Sequence, residues 1–181
     1  MSDPRASLDI AYSDDEAVAV PWAAALARLA QAQLAWIVTV RPDGRPHATP
    51  MVPVVHDGKV YFHVGRDEVK TANLRANPNA IVLVGDGEWE HGLDVMVDGT
   101  ATVVTDPAVL RAVAARYRDR WDGRWRLEVE GGDVSGTARG VDIVVFGVMP
   151  RRARSHDKGD PFGQTTYRFA PERADAQDGS S

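Results

Sequence analysis

Residues 41–78 contain the side chains of this sequence best suited to holding a ligand. Two polar residues, His47 and Thr49, interrupt a β-type run where apolar residues are expected. Lys70 follows the next β-type run and opens a short predicted helix. A cation beside the N–H groups of a helix start favours an anion. These residues predict a site for a ligand that carries a negatively charged group.

Three strands and that helix must position these residues. β-branched and aromatic residues predict strands over residues 34–40 and 60–64, with a second strand over residues 47–55 between them. Pro50 and Pro53 cannot donate to a sheet ladder, so we expect the second strand at an edge, a bulge or a ligand-facing rim. The helix is predicted over residues 68–75 and ends before a proline.

The rest of the chain predicts a mainly β protein with few helices. Helices are expected over residues 21–31 and after Thr105-Asp106, either of which can cap a helix with Pro107 at its first position. Further strands are predicted over residues 80–84, 93–104, 141–148 and 164–169. Short hairpins between six or seven strands favour an antiparallel split β-barrel. We expect a flexible arm over residues 1–13, one domain over 14–169 and a disordered tail over 170–181.

Composition excludes several classes of function. The 181 residues are 44% hydrophobic and 26% charged, typical of a globular protein. The net charge of −5 argues against nucleic-acid binding. There is no apolar run long enough to cross a membrane and no apolar segment of a secretory signal. The absence of cysteine suits a cytoplasmic protein.

The common catalytic and binding motifs are missing. Gly85-Asp86-Gly87 begins a dinucleotide-binding pattern, but Glu90 replaces its third glycine. No phosphate-binding G-x-x-x-x-G-K-[ST] loop occurs, and Ser135 lacks the glycine that a nucleophile elbow requires. The five histidines do not have the spacing of metal ligands, so no metal site is predicted.

The sequence resembles the pyridoxamine 5′-phosphate oxidase-like split-barrel flavoproteins over about residues 20–169. The similarity lies in the order and spacing of five segments: residues 35–50, residues 57–62, Lys70-x-x-Asn73-Leu74-x-x-Asn77-Pro78, residues 95–101 and residues 158–169. The last segment is similar to the branch that uses the 5-deazaflavin coenzyme F420. The resemblance implies a homodimer with a cofactor bound at the subunit interface and a small-molecule substrate.

The residues of the opening segment suit such a cofactor. Backbone groups around Pro50 are suited to the edge of a flavin-like ring, and Lys70, with Arg66 and Thr71, to its phosphate. Asn73 fits either a ligand contact or a structural cap. Asp94 departs from the polar contact that the oxidase relatives carry at that point. The predicted cofactor-binding residues are His47, Ala48, Thr49, Pro50, Met51, Val64, Gly65, Lys70, Thr71 and Asn73.

The choice between coenzyme F420 and FMN depends on charge. Coenzyme F420 carries a phosphodiester and an oligoglutamate tail, which need a longer cationic path than one phosphate does. A predicted loop over residues 151–163 supplies Arg151, Arg152, Arg154 and Lys158 for such a path, or is simply a solvated basic loop. The resemblance favours coenzyme F420, with FMN as the alternative.

The resemblance implies an oxidoreductase that transfers hydride from the reduced cofactor to a small electron-poor, enone-like substrate. His63, Tyr167 or solvent can supply the proton, so no catalytic residue is assigned. Residues 121–125 contain two tryptophans that fit either a substrate lid or a packed clamp. The alternative is an FMN-dependent oxidoreductase, or a non-catalytic carrier or sensor that binds a flavin, a deazaflavin or haem.

Overall fold

The computed structural model describes residues 3–121, 125–130, 133–136 and 142–170. The predicted tail lies outside the described residues from residue 171 onward. The three helices are α1 (Trp22–Gln31), α2 (Val69–Ala76) and α3 (Pro107–Arg120). The strands are β1 (Arg5–Leu8), β2 (Ala35–Val40), β3 (Pro46–Met51), β4 (Val54–His56), β5 (Lys59–Gly65), β6 (Asn79–Val84), β7 (Gly92–Val103), β8 (Leu127–Glu130), β9 (Asp133–Gly136), β10 (Ile143–Lys158) and β11 (Gly163–Arg168).

Nine of these strands form one antiparallel sheet, and seven of them follow the order β1-β11-β10-β7-β6-β2-β3. The first half of β10 also pairs with β5, which pairs in turn with β4. Strands β8 and β9 form a separate hairpin. The long β10 therefore bends across the molecule and belongs to both parts of a barrel that does not close. The predicted antiparallel split barrel is confirmed.

Two differences raise the number of strands in the main sheet from the six or seven predicted to nine. Residues 5–8, expected in a flexible arm, pair with β11 as β1, because β11 would otherwise be an open edge. The predicted strand over residues 47–55 is divided into β3 and β4 at Val52 and Pro53, since Pro53 has no N–H for a ladder.

The predicted loop over residues 151–163 is largely strand, which corrects the sequence interpretation. Residues 151–158 continue β10, and their pairing with β7 shifts register between Pro150 and Arg152. Ala153 and Ser155 are buried while Arg152 and Arg154 are exposed, which is the alternation of a strand with one solvated face. The many charged residues of this segment hide the two-residue alternation of buried and exposed positions in the sequence.

Helix α1 plugs the barrel. Trp22, Ala25 and Leu29 on its inner face are buried against the sheet. The rings of Phe62 and Phe146 stack in the same core at 5.7 Å between centroids. This packing holds β5 and β10 together, and β5 leads directly into the turn before Lys70.

Helix α3 covers the other face of β5 and β10. Its Leu110, Val113 and Tyr117 form a second apolar cluster with Tyr61 and Val145. Trp121 stacks on Tyr117 at 5.6 Å between centroids. Trp125 lies 5.0 Å from the ring of His63. Both tryptophans therefore pack against aromatic side chains of the protein, as the clamp alternative predicts. Residues 122–124, which belong to the segment predicted as a possible lid, lie outside the described residues.

Within the described part of the chain, no helix is both long and apolar enough to cross a membrane.

Candidate functional site

Strand β3 lies at the end of the main sheet, as its prolines predicted. In the described chain it pairs with β2 only, so its second edge presents backbone groups without a ladder partner. Ala48 and Pro50 are exposed, and Met51 is buried at the end of the strand. A planar ligand with hydrogen-bonding atoms on its rim can meet such an edge.

The turn between β5 and α2 brings donors together around one carboxylate. The Gly65 N–H donates to Glu68 Oε1 at 2.6 Å, and Lys70 Nζ donates to Glu68 Oε2. Lys70 is 8% exposed, unusually low for a lysine. The Thr71 hydroxyl donates to the Gly65 carbonyl at 2.7 Å and holds the turn closed. The Gly65 amide and the Lys70 ammonium thus point at the same place.

A buried hydroxyl connects this turn to the edge strand. Asn73 Nδ2 donates to Thr39 Oγ1 at 3.0 Å. The same hydroxyl lies 3.4 Å from the His47 carbonyl and 3.5 Å from His47 Nδ1. Thr39 and Asn73 are both buried. The link fixes α2 relative to β3, so the lysine and the open edge belong to one rigid unit.

Arg66, the other cation of this turn, also has an acidic partner. Arg66 Nε lies 3.3 Å from Asp142 Oδ2. The Glu68 carboxyl is partly desolvated, which alone would raise its pKa, but its bonds to Lys70 and Gly65 outweigh burial and lower the pKa. Glu68 is therefore ionised at neutral pH and balances the charge of Lys70.

Lys158 is not available as part of a cationic path. Its Nζ donates to Asp86 Oδ1 at 2.7 Å and lies 3.0 Å from Asp94 Oδ1, and its side chain is only 7% exposed. Arg28 joins the cluster at 3.6 Å from Asp86. The cluster ties the end of β10 to the start of β7 and to α1. Asp94, unexpected from the resemblance, has this structural role.

Arg152 and Arg154 do stand free of the core on the outer face of the sheet. They line a shallow groove of about 150 Å³ together with Ile81, Met96 and Asp98. Trp36 and Ile81, on neighbouring strands of that face, remain 48% and 39% exposed. The outer face is thus apolar at its centre and basic on the β10 side.

Both candidate proton donors make contacts inside the protein. The Tyr167 hydroxyl donates to the Val20 carbonyl at 2.9 Å and shares a hydrogen bond with Ser155, and the residue is fully buried. Burial also raises the pKa of Tyr167. His63 packs against Tyr117 and Trp125. Burial lowers the pKa of His63 to about 4, so its ring is neutral at pH 7.

Residues 22–156 match the sequence model of a family described as pyridoxamine 5′-phosphate oxidase. This match spans most of the chain. The chain belongs to the pyridoxamine 5′-phosphate oxidase family. Among curated proteins, no match was found.

Solved structures share the family fold. A conserved hypothetical protein from Mycobacterium tuberculosis superposes with a TM-score of 0.63 at 22% identity, covering 80% of this chain and 89% of the other. A structure described as F420 reductase gives a TM-score of 0.52 at 24% identity, with coverage of 70% and 93%. A pyridoxamine 5′-phosphate oxidase-related, FMN-binding protein from Nostoc punctiforme gives 0.59 at 16% identity, with coverage of 83% and 92%. At these identities the likeness concerns the fold.

In this family member, the predicted site residues fall into two sets. One set lies at the edge strand and the linked turn: His47, Ala48, Thr49, Pro50, Gly65 and Lys70. The other set points into the protein: Met51, Val64, Thr71 and Asn73 are buried, and the last two make internal hydrogen bonds. Of the two interpretations of Asn73, the geometry favours the structural one.

Two important residues were not among those predicted. Glu68 was predicted only as a member of the short helix, although a carboxylate two positions before a lysine can indicate an ion pair. Thr39 was expected only as part of an apolar strand. It alternates in step with Ala35 and Ile37, however, so its side chain lies on the same buried face of β2. A polar residue at an inward position needs a partner, and that requirement could have pointed to Asn73.

Proposed function

We propose that this protein is an oxidoreductase that binds a phosphate-bearing, flavin-like cofactor, with coenzyme F420 preferred over FMN. The observation that carries the proposal is the convergence of the Gly65 N–H and the Lys70 ammonium on one carboxylate beside an open strand edge. Donors that hold a carboxylate there also suit a phosphate oxygen, so the residues fit the proposed group.

The chain's own residues would bind and orient the cofactor. Lys70 and Gly65 would hold its phosphate, and the backbone of β3 from His47 to Pro50 would meet the polar edge of its ring. The Asn73–Thr39 hydrogen bond keeps these two contacts at a fixed separation. The bound cofactor would supply the hydride chemistry.

Proton delivery is assigned to solvent. The neutral ring of His63 lies under Trp125, and the hydroxyl of Tyr167 is committed to Ser155 and Val20 inside the core. Both groups are thus engaged in contacts within the protein. We therefore propose that the protein binds, orients and shields the reactants without a side chain that acts as general acid.

Two observations support coenzyme F420 over FMN. The sequence resemblance at residues 158–169 favours the deazaflavin branch. Arg152 and Arg154 are exposed and can attract an anionic tail, although Lys158 is not available for this. The F420 reductase is among the structures with this fold. FMN remains the second candidate, supported by the FMN-binding protein of the same fold.

We further propose that the outer face of the sheet packs against a second copy of this chain. Trp36, Leu83 and Met96 lie side by side on β2, β6 and β7, because Trp36 pairs with Leu83 and Leu83 with Met96. A large exposed tryptophan within such an apolar row is typical of an interface. β3 borders this row, so a second copy would enclose the cofactor edge and exclude water.

The test is binding followed by turnover. Quenching of the five tryptophans should report binding of coenzyme F420 and FMN to the wild-type protein. The reduced deazaflavin is then mixed with a panel of enones under anaerobic conditions, with and without protein. Protein-dependent oxidation supports the proposal. Tight binding without oxidation by any acceptor favours a carrier or sensor, and binding of FMN alone would exclude the deazaflavin.

A further inference from the structure

We propose that Glu68 selects the cofactor by charge, because its carboxylate competes for the phosphate site and disfavours a phosphomonoester more than a phosphodiester. This inference rests on the proposed function and names a residue that determines its cofactor class. It explains why a member of this fold would take a phosphodiester such as that of coenzyme F420 in preference to the monoester of FMN.

The contacts of Glu68 place a carboxylate where a ligand phosphate would bind. One carboxylate oxygen accepts from the Gly65 N–H at 2.6 Å, and the other accepts from Lys70 Nζ. These are the two donors proposed for the phosphate. A ligand phosphate and the Glu68 carboxylate therefore cannot both hold this pair of donors.

The two partners differ in their freedom to move. The Glu68 side chain is 46% exposed, whereas that of Lys70 is 10% exposed. Glu68 can rotate into solvent while Lys70 stays in place. The site is consequently closed by a displaceable group and not by a buried structural ion pair.

The charges of the turn make the displacement selective. Arg66, the other cation of the turn, is already 3.3 Å from Asp142, so Lys70 is the cation that faces the Glu68 carboxylate. A phosphodiester replaces one negative charge with another. A phosphomonoester carries close to two negative charges at pH 7 and adds charge next to the displaced carboxylate. Over a few ångströms this repulsion is large enough to change affinity.

The test compares ligands with and without phosphate. FMN is paired with riboflavin, which lacks only the phosphate. Coenzyme F420 is paired with its deazaflavin core, which lacks the phosphodiester and the tail attached to it. The tail is the same for every variant, so the change of each ratio of Kd values between variants reports the phosphate site. The variants are Glu68→Gln, which keeps an acceptor for Gly65 without charge, and Asp67→Asn as a control that removes the same charge one residue away. Thermal unfolding with inorganic phosphate reports the anion site without any ring.

Glu68→Gln should lower the Kd of FMN about tenfold, while the Kd of riboflavin should change by less than about twofold. In the same variant the affinity for coenzyme F420 should rise by no more than about threefold. Asp67→Asn should leave every ratio of Kd values near that of the wild-type protein. Inorganic phosphate should raise the Tm of Glu68→Gln more than that of the wild-type protein.

The two failures can be told apart. If flavins and deazaflavins bind but Glu68→Gln leaves the FMN-to-riboflavin ratio unchanged, the role of Glu68 is wrong and the proposed function stands. An equal gain for FMN and coenzyme F420 also overturns the charge selection. If no flavin or deazaflavin binds the wild-type protein or either variant, the proposed function fails, and this inference fails with it.

Discussion

The side-chain amide of Asn73 donates a hydrogen bond to the hydroxyl of Thr39, 34 residues earlier in the chain, at 3.0 Å. Thr39 lies on β2, next to the edge strand β3, and Asn73 lies on the helix that begins beside Lys70. This hydrogen bond therefore links the two halves of the candidate site, the β3 edge and the turn at Lys70, from inside the protein. Its donor and acceptor are both buried, so neither can exchange its partner for water.

Replacing Thr39 with valine should destabilise the protein and loosen the site. The substitution keeps the shape of the side chain but leaves Asn73 Nδ2 without its acceptor, which costs about 1–3 kcal/mol. Urea unfolding measures the loss. Thr49→Val is the control, because the hydrogen bond that the Thr49 hydroxyl makes to the Pro50 carbonyl is exposed and, at 3.5 Å, marginal. Equal stability of the two variants would contradict a structural role for the bond.

His63 should make stability depend on pH between about 4 and 6.5. Burial, partly offset by Glu68, lowers its pKa from 6.5 to about 4 in the folded protein. The unfolded chain therefore binds more protons in this range, so the free energy of unfolding falls as the pH falls. From pH 7 to pH 5 the loss should be about 2 kcal/mol.

The measurement is urea unfolding at both pH values for the wild-type protein, His63→Phe and His91→Asn. The phenylalanine variant cannot titrate and should lose less stability on acidification. His91 is exposed, so His91→Asn should follow the wild-type protein. An identical pH dependence for wild type and His63→Phe would show that His63 is not buried as a neutral ring.

Lys158 and Arg154 should have opposite roles although both belong to the basic segment. Lys158→Met removes the partner of Asp86 and Asp94 and should lower Tm. Arg154→Met removes an exposed charge and should leave Tm unchanged. It should weaken the binding of coenzyme F420 by about threefold at low salt. Thermal unfolding and fluorescence titration distinguish them. A stable Lys158→Met variant would argue against the structural cluster.

A charge at Trp36 should prevent association of two copies. Trp36→Glu places a carboxylate in the apolar row of β2, β6 and β7 and should shift sedimentation from dimer to monomer. Ile10→Glu is the control, since Ile10 is 84% exposed but lies in a short 3-10 turn outside the sheet. A monomeric wild-type protein, or a dimeric Trp36→Glu variant, would contradict the proposed interface.

The elements that depend on local signals could be predicted from the sequence. Asp106 caps α3 by accepting from the Ala108 N–H, as its position before Pro107 indicated. The prolines of residues 47–55 correctly indicated an edge strand, although not its division into β3 and β4. These features follow from backbone chemistry within a few residues, which a sequence displays directly.

Features that depend on distant partners could not be predicted in the same way. Residues 151–158 resemble a basic loop because their charges are conspicuous, while the pairing that makes them a strand comes from β11 on one side and from β7, more than 50 residues earlier, on the other. Lys158 looked available for a ligand, but Asp86 and Asp94 reach it only in the folded sheet. Burial and pairing are properties of the tertiary structure, and charge alone does not reveal them.

The most direct test of the central proposal is the affinity of coenzyme F420 for Lys70→Met compared with Arg75→Met. Both variants remove one positive charge from α2, but Arg75 is exposed near the end of the helix while Lys70 is buried at the proposed phosphate site. Fluorescence titration should show at least about tenfold weaker binding for Lys70→Met and wild-type binding for Arg75→Met. Full affinity in Lys70→Met, or equal losses in both variants, would contradict the proposed site.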